Sequence, residues 1–301
     1  MPARLSNLRT VTALVTPFDA SRVDHAALAG AIDRQVRAGM DAVIVCDAIG
    51  EGPALTQEER DAVLSTCLLR ANGRLAVIAA TGSNGTAHTI AMTQRAAALG
   101  ADGVIVTLPY YSKPTKAGVL AHFRSVASVT HLPLIIDDDP QRVAIEGGEW
   151  LLSALADVET IAAVRHGAGR LSAFTQLSPV LRRRYHHYCG DEVDLPAFMA
   201  CGGHGVVSAA GNFLPYQLAA LGRGFPGAAG QFCRDVRLVL DATGGQWDAA
   251  VVKAACAVVH GGTPGMRLPL VDIDSASDQA LRQALASFDA GADMPLSQAI
   301  A

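Results

Sequence analysis

The sequence predicts a (β/α)8 barrel followed by a C-terminal helical extension, and three observations favour this fold. The chain has 301 residues, half of them hydrophobic, and its 29 glycines suit the many tight turns of an α/β barrel. A helix end, a glycine, a polar turn and a β-branched strand recur in stretches that begin at Ala38, Leu99 and Cys201. Short apolar runs also alternate with helical runs eight times, as parallel strands and helices do.

The elements can be assigned in order along the chain. Eight strands are expected near residues 11–15, 42–46, 76–80, 103–107, 133–137, 160–165, 185–189 and 204–208. The helices between them are expected near residues 24–38, 56–70, 85–99, 115–129, 147–156, 169–181, 191–200 and 212–222. Several helix starts carry caps, such as Thr56 with Glu59 three residues later. The second, fourth and fifth strands are continuous apolar runs, which is typical of strands covered on both faces.

No strand pattern returns after about residue 224. Three helical runs remain, at 226–241, 246–260 and 276–289, and they are separated by glycine pairs at Gly244 and Gly261. We therefore divide the chain into a barrel, residues 1–223, and a helical extension packed on the barrel, residues 224–301.

Composition and charge argue against several classes of protein. The formal net charge is −4, so nucleic acid is not an expected partner. No apolar run reaches the about 18–20 residues of a membrane helix, and the N-terminus lacks the apolar core of a signal peptide. The six cysteines are scattered without ligand-like spacing, which favours reduced core thiols. We expect a cytoplasmic protein with no membrane partner, no cofactor and no metal.

The strand expected at 160–165 ends in a charged side chain, Arg165, which is followed by His166 and Gly167. The C-terminal strand ends of a parallel barrel form the reaction chamber, so Arg165 is the first candidate for chemistry. Strand alternation then turns His166 away from the lumen. Among the other polar residues, Glu51 is expected to organise hydrogen bonds in its loop, and His204 is expected to be a turn or packing histidine.

A series of short motifs carries a resemblance to a known family. The motifs are Ala13-Leu-Val-Thr-Pro-Phe, Gly50-Glu51 with Leu55-Thr56, Ala79-Ala-Thr-Gly-Ser-Asn, Leu108-Pro-Tyr-Tyr-Ser-Lys-Pro, Gly190-Asp191, Gly202-Gly-His-Gly-Val-Val-Ser, Val252-Lys-Ala-Ala-Cys and Met266-Arg-Leu-Pro-Leu. Taken in order, they resemble the dihydrodipicolinate synthase / N-acetylneuraminate lyase family. The resemblance implies a (β/α)8 barrel, a homodimer or homotetramer, and pyruvate-dependent lyase chemistry. In that chemistry a lysine ending the sixth strand forms a Schiff base with pyruvate, and a tyrosine ending the fifth strand handles protons.

The chain departs from the family at these reactive positions. Arg165 stands at the position of the lysine, and Asp137 stands at that of the strand-5 tyrosine. The run Asp47, Ala48 and Ile49 replaces the residues that hold the pyruvate carboxylate, so both threonine hydroxyls of the family are lost. Other positions match the family: Tyr111, which in the family reaches a neighbouring subunit, Arg142, which grips a second carboxylate, and the pocket-lining Gly190 and Val207.

An arginine cannot replace the Schiff-base lysine. Imine formation needs a neutral primary amine, whereas a guanidinium keeps its proton up to a pKa above about 12. The three lysines of the chain, Lys113, Lys116 and Lys253, lie after the fourth strand or in the extension. We therefore predict that the protein forms no imine with pyruvate.

A guanidinium in a barrel mouth needs an anion, and strands five and six are neighbours. Asp137 is therefore expected to pair with Arg165, and Asp47 is a candidate second acceptor. Three interpretations stay open. Arg165 could bind a substrate carboxylate, or the ion pair could only stabilise the fold in a site that has lost its function. The third is a metal site at Asp47, Asp137 and Asp138, although the charge of Arg165 would repel the cation.

The leading functional prediction is a lyase that acts on a small carboxylate or 2-oxo acid without a Schiff base. Arg165 would bind the carboxylate, and Asp137 would orient Arg165 or move a proton. The remaining candidate residues would line the chamber: Tyr111, Asp47, Ala48, Ile49, Arg142, Gly190 and Val207. The alternative is a non-catalytic ligand-binding pseudoenzyme of the same fold.

Overall fold

The computed structural model describes residues 8–223 and 228–288. The strands in this part of the chain are β1 (Thr10–Ala13), β2 (Phe18–Asp19), β3 (Arg22–Val23), β4 (Ala42–Val45), β5 (Ala76–Ala80), β6 (Gly103–Thr107), β7 (Leu134–Asp138), β8 (Ile161–His166), β9 (His186–Cys189) and β10 (Gly205–Ser208). The helices are α1 (His25–Ala38), α2 (Gln57–Ala71), α3 (Thr86–Leu99), α4 (Lys116–Ala127), α5 (Glu149–Ala154), α6 (Leu171–Gln176), α7 (Pro179–Arg184), α8 (Leu195–Ala200), α9 (Pro215–Gly222), α10 (Ala228–Ala242), α11 (Ala249–His260) and α12 (Ser275–Ala286). Two 3-10 turns lie at Gly52–Ala54 and Ala210–Asn212.

Eight parallel strands close into a barrel in the order β1-β10-β9-β8-β7-β6-β5-β4. The predicted fold is therefore confirmed, and every expected strand lies within two residues of its predicted bounds. The exception to the pattern is the small antiparallel pair β2-β3, which the sequence did not predict. This hairpin follows β1, and Phe18 at its start is buried.

The helices after β8 differ most from the prediction. One helix was expected at 169–181, but two short helices form, α6 and α7. Ser178 precedes Pro179 and has an extended ψ of 148°, because a proline disfavours helical backbone in the residue before it. The helix expected at 191–200 begins only at Leu195, so residues 190–194 form a loop above the barrel.

Alternation along the strands separates two apolar cores. Residues that share the barrel lumen include Ile44, Ile78, Ile105, Ile135 and Ala163. The alternate residues pack against the helices, and they include Val43, Val77, Val104, Ile136 and Val164. Asp137 and Arg165 lie two residues beyond Ile135 and Ala163, so their side chains lie on the lumen side, at the C-terminal mouth of the barrel.

The C-terminal helices contact the barrel part of the chain as well as each other. Helix α10 contacts α8, α9 and α12, and α11 contacts α12 and the 3-10 turn Ala210–Asn212. The expected boundary at 223/224 borders residues 224–227, which lie outside the described residues. The helix expected at 276–289 corresponds to α12, which ends at Ala286. The division into two units thus stays a prediction. Within residues 8–223 and 228–288, no helix has the length and apolarity that a membrane span requires.

Candidate functional site

A cavity of about 750 Å³ opens at the C-terminal ends of the barrel strands. Eight of the nine predicted site residues line it: Asp47, Ala48, Ile49, Asp137, Arg142, Arg165, Gly190 and Val207. The C-terminal extension supplies part of the wall through residues such as Arg237, Gln246 and Trp247. We call this cavity the chamber.

Tyr111 is the predicted residue that does not line the chamber of its own chain. Its side chain is 89% exposed, and its backbone has a φ of +65°, in the left-handed region. Its neighbour Tyr110 lines the chamber instead. Tyr111 does not line the chamber of its own chain, and its expected reach into the chamber of a partner subunit stays a prediction.

Arg165 and Asp137 form the expected ion pair. They are paired residues in the register of β7 and β8, and Arg165 Nη1 donates to Asp137 Oδ1 at 2.7 Å. The side chains are 19% and 17% exposed, so the pair lies at the floor of the chamber rather than in bulk water. The parallel register of adjacent strand ends is sufficient to bring the two groups together.

The second carboxylate on Arg165 is Asp139 and not, as expected, Asp47. Arg165 Nη1 lies 3.3 Å from Asp139 Oδ2, and Arg142 Nε lies 3.5 Å from the same oxygen. Gly167 gives Asp139 the space to occupy this position, because a Cβ on residue 167 would lie 2.8 Å from the Asp139 Cα. The run Asp137-Asp138-Asp139 was the sequence signal for this acceptor, but Asp139 lies beyond the predicted strand, where alternation no longer assigns a direction.

The guanidinium of Arg165 stays charged in this position. Burial by itself lowers the pKa of Arg165, but the carboxylates of Asp137 and Asp139 raise it above its ordinary value. Its Nη2 donates to the Gly190 carbonyl at 3.4 Å, and its buried Nε has no hydrogen-bond partner. A Cβ at Gly190 would lie 2.7 Å from this Nε, so glycine is what lets the guanidinium lie against the backbone of residue 190.

Asp47 lies on a tight turn after β4. Its Oδ1 accepts the Gly50 backbone N–H at 2.9 Å, and its carbonyl accepts the Gly52 N–H at 2.8 Å. Cys46 and Glu51, on either side of the turn, have φ values of +60° and +52° in the left-handed region. Burial raises the pKa of Asp47 to about 6, against the opposing effects of the Gly50 hydrogen bond and the Arg165 charge.

Glu51 fixes the same turn to the C-terminal extension, so its carboxylate bonds to distant residues rather than within the loop as expected. Its Oε1 accepts a hydrogen bond from Lys253 Nζ, and its Oε2 accepts the Arg267 backbone N–H at 3.0 Å. Lys253 also donates to the Gly265 carbonyl at 2.9 Å and lies 4.0 Å from the centre of the Phe18 ring. We call these contacts the Glu51–Lys253 strut.

No lysine is among the residues that line the chamber in the described part of the chain. Lys253 is 3% exposed and belongs to the strut. Lys116 lies 4.9 Å from the centre of the Trp150 ring, outside the chamber.

Sequence reasoning missed Glu192, a carboxylate of the chamber wall that is 1% exposed. Its Oε1 accepts from Ser208 Oγ at 2.7 Å and from the backbone N–H groups of Ala209 and Ala210, and its Oε2 accepts from Trp247 Nε1 at 2.8 Å. Burial raises the pKa of Glu192, and the hydrogen bonds from Ser208, Ala210 and Trp247 oppose that rise. Its position just after a predicted strand was a signal, but the tryptophan partner comes from a distant part of the sequence.

The histidines near β8 and β9 lie outside the chamber. His166 faces the helices as expected, where its Nε2 lies 2.9 Å from His187 Nδ1 beside the stacked rings of Phe174 and Phe198. His204 Nδ1 accepts the His187 backbone N–H at 3.1 Å, as a packing histidine does. Residues 8–223 and 228–288 contain no group of three His, Cys, Asp or Glu side chains placed to hold a metal ion.

Comparison with known proteins gives consistent results over nearly the whole chain. Residues 6–287 match the family model described as the dihydrodipicolinate synthetase family. The chain is 32% identical over 276 residues to the 4-hydroxy-tetrahydrodipicolinate synthase of Geotalea daltonii, covering 90% of this chain and 95% of the relative. It is 31% identical over 285 residues to the synthase of Aquifex aeolicus, covering 93% and 97%.

A solved structure agrees with these sequence matches. The chloride-inhibited dihydrodipicolinate synthase from Acinetobacter baumannii, complexed with pyruvate, superposes with a TM-score of 0.89 at 26% identity. The match covers 94% of this chain and 99% of that one.

Proposed function

The chain belongs to the dihydrodipicolinate synthetase family, and we propose that it is a lyase acting on a small carboxylate, such as a 2-oxo acid, without forming a Schiff base. The observation that carries the proposal is Arg165, a permanent cation at the floor of a chamber that no lysine lines in the described chain. A protonated guanidinium does not attack a carbonyl carbon, but it binds a carboxylate well.

The chamber residues take distinct roles in this proposal. Arg165 binds the substrate carboxylate, and Asp137 orients Arg165 through the 2.7 Å hydrogen bond. Arg142, which is 46% exposed above Asp139, is the second cation that an anionic substrate meets. Asp47, Ala48, Ile49, Gly190 and Val207 form the wall around the bound acid.

We also propose that the active form is a homodimer or homotetramer. The support is Tyr111, a large aromatic side chain that is 89% exposed beside the chamber-lining Tyr110. An exposed tyrosine in a left-handed backbone conformation is costly for an isolated chain, and a partner subunit that covers it would offset the cost.

A second candidate function is a non-catalytic ligand-binding protein of the same fold. One observation favours it: Arg165 already contacts two carboxylates and a carbonyl, so a ligand must compete with Asp137 and Asp139 for the guanidinium.

Two measurements test the proposal. Borohydride reduction in the presence of pyruvate, followed by intact mass, should leave the protein unmodified, and a stoichiometric adduct would refute the absence of a Schiff base. Arg165→Lys is the matched variant, because it keeps a cation at this position and adds a primary amine.

Oxo acids and hydroxy acids are then screened by thermal shift, and each acid that stabilises the protein is followed by NMR. Stabilisation with turnover supports the lyase, whereas stabilisation without turnover supports the binding protein. A screen in which no acid raises the melting temperature contradicts both functions and leaves a site that has lost its activity.

A further inference from the structure

The three carboxylates nearest to Arg165 differ in what holds them. Asp137 is paired with Arg165, and Asp139 is shared between Arg165 and Arg142. Asp47 forms no ion pair within 4.0 Å in the described chain, and the one hydrogen bond to its carboxyl group comes from the backbone N–H of Gly50 to Oδ1. Proton transfer needs a carboxylate oxygen that can approach the substrate, and oxygens of Asp137 and Asp139 are already held by guanidinium groups.

We propose that Asp47 is the acid–base residue of the chamber, and that Asp137 and Asp139 serve only to hold Arg165. This assignment deepens the proposed function and rests on it, since it names the group that moves the proton of the bound acid. It also gives a role to the carboxylate in a turn that lacks the two threonine hydroxyls of the family.

The backbone around Asp47 is built to fix its position. The left-handed residues Cys46 and Glu51 bracket the turn, and the Thr16 hydroxyl donates to the Gly50 carbonyl at 2.7 Å. The Glu51–Lys253 strut ties the end of the turn to α11. Strained backbone persists only where the surroundings determine it, and here they hold one carboxyl at the chamber wall.

The charges that face Asp47 keep its carboxyl available in both protonation states. Arg165 and Arg142 favour the carboxylate, whereas Asp137 and the burial of the side chain favour the acid. The resulting pKa of about 6 suits a group that accepts a proton and returns it near neutral pH. Glu192, a carboxylate of the wall that is almost fully buried, has both oxygens engaged by donors and is not suited to this task.

The proposed step is the enolisation of a bound 2-oxo acid. The Asp47 carboxylate takes a proton from C3, the C3–H bond breaks, and its electron pair forms the C2–C3 double bond. The carbonyl oxygen takes up the negative charge, in the positive field of Arg165 and Arg142. Return of the proton from Asp47 to C3 restores the acid, so atoms and charges balance without another reactant.

Pyruvate in D₂O is the probe for this step. In D₂O the proton held by Asp47 exchanges with solvent deuterium before it returns to C3, so loss of the methyl proton signal by NMR measures the step. Calorimetry measures binding to the same samples. Asp47→Asn keeps the oxygen that accepts the Gly50 N–H, so we expect it to fold and to bind pyruvate within about threefold of wild type. Its exchange rate should fall by about 100-fold or more, as when a general base is removed.

Control variants separate this role from a general effect of charge. Asp241→Asn removes an exposed carboxylate outside the chamber and should leave exchange within about threefold. Asp47→Glu should recover part of the lost rate. The wild-type rate should rise as the pH increases through about 6 and then level off, and Asp47→Asn should lack this inflection.

The outcomes distinguish this assignment from the proposed function. If wild type neither binds pyruvate nor exchanges its protons, the proposed action on 2-oxo acids fails and the Asp47 role fails with it. Binding without exchange overturns the Asp47 role and leaves the binding protein. Exchange that is unchanged in Asp47→Asn overturns the Asp47 role alone. As a check without ligand, the ¹³C-carboxyl signal that Asp47→Asn removes should titrate near pH 6, and a midpoint below 4.5 refutes the assignment.

Discussion

Replacing Asp47 by asparagine is expected to stabilise the protein at neutral pH, although it removes a chamber residue. Burial raises the pKa of this carboxyl from its ordinary value of 3.8 to about 6. The folded state therefore binds the proton more tightly than the unfolded state, and stability falls as the pH rises from about 4 to 6. By linkage, ionised Asp47 costs about 3 kcal/mol of stability at pH 8 and about half of that at pH 5.

The Asp47→Asn side chain keeps an acceptor for the Gly50 N–H and carries no charge, so the variant recovers this cost. Urea denaturation at the two pH values, followed by tryptophan fluorescence, measures the difference in the free energy of unfolding. Asp137→Asn is the matched control with the opposite sign, because it removes the closest anion from the buried charge of Arg165. Equal stability of wild type and Asp47→Asn at both pH values would refute the reasoning.

Three further predictions concern stability. Lys253→Met leaves the buried Glu51 carboxylate without its cation and should lower the free energy of unfolding, measured with urea, by about 3–5 kcal/mol. Adding Glu51→Leu should recover part of this loss. If the losses of the two single variants simply add, the two residues do not act as a pair. Gly190→Ala should cost about 1–3 kcal/mol of stability, because its Cβ would lie 2.7 Å from the backbone oxygen of His166. The control Gly30→Ala lies in a helix with space for a methyl group and should be neutral or stabilising. Equal effects of the two substitutions would argue against the clash. Burial lowers the pKa of His187 to about 4, so the stability that neutral His187 contributes above about pH 6.5 is lost as the pH falls. Between pH 7 and pH 5, the free energy of unfolding of His187→Phe should therefore fall by about 2 kcal/mol less than that of wild type. An equal fall in both proteins would exclude His187 as the cause.

The barrel strands and the Arg165–Asp137 pair were predictable from sequence because both depend on local rules. Apolar β-branched runs mark parallel strands, and alternation assigns each side chain to one side of the sheet. Once the two strand ends were placed as neighbours, the 2.7 Å ion pair required nothing else. The outward direction of His166 follows from the same alternation.

The features that sequence reasoning missed depend on loops and on contacts between distant segments. Asp139 lies past the end of β7, where no periodicity assigns a direction. Glu192 and Trp247 are 55 residues apart, and their hydrogen bond joins the loop after β9 to the segment before α11. Tyr111 follows the chamber-lining Tyr110 in the sequence, but its left-handed backbone conformation places its side chain outside the chamber of its own chain.

The contribution of Trp247 and Arg237 to the chamber wall has a consequence for how specificity changes in such a chain. These residues lie far along the chain from the strand ends that carry Arg165 and Asp137. We therefore expect mutations in this C-terminal segment to alter which molecules fit without disturbing the Arg165–Asp137 ion pair. Exchange of this segment between homologous proteins is a direct route to new ligand preferences on an unchanged barrel.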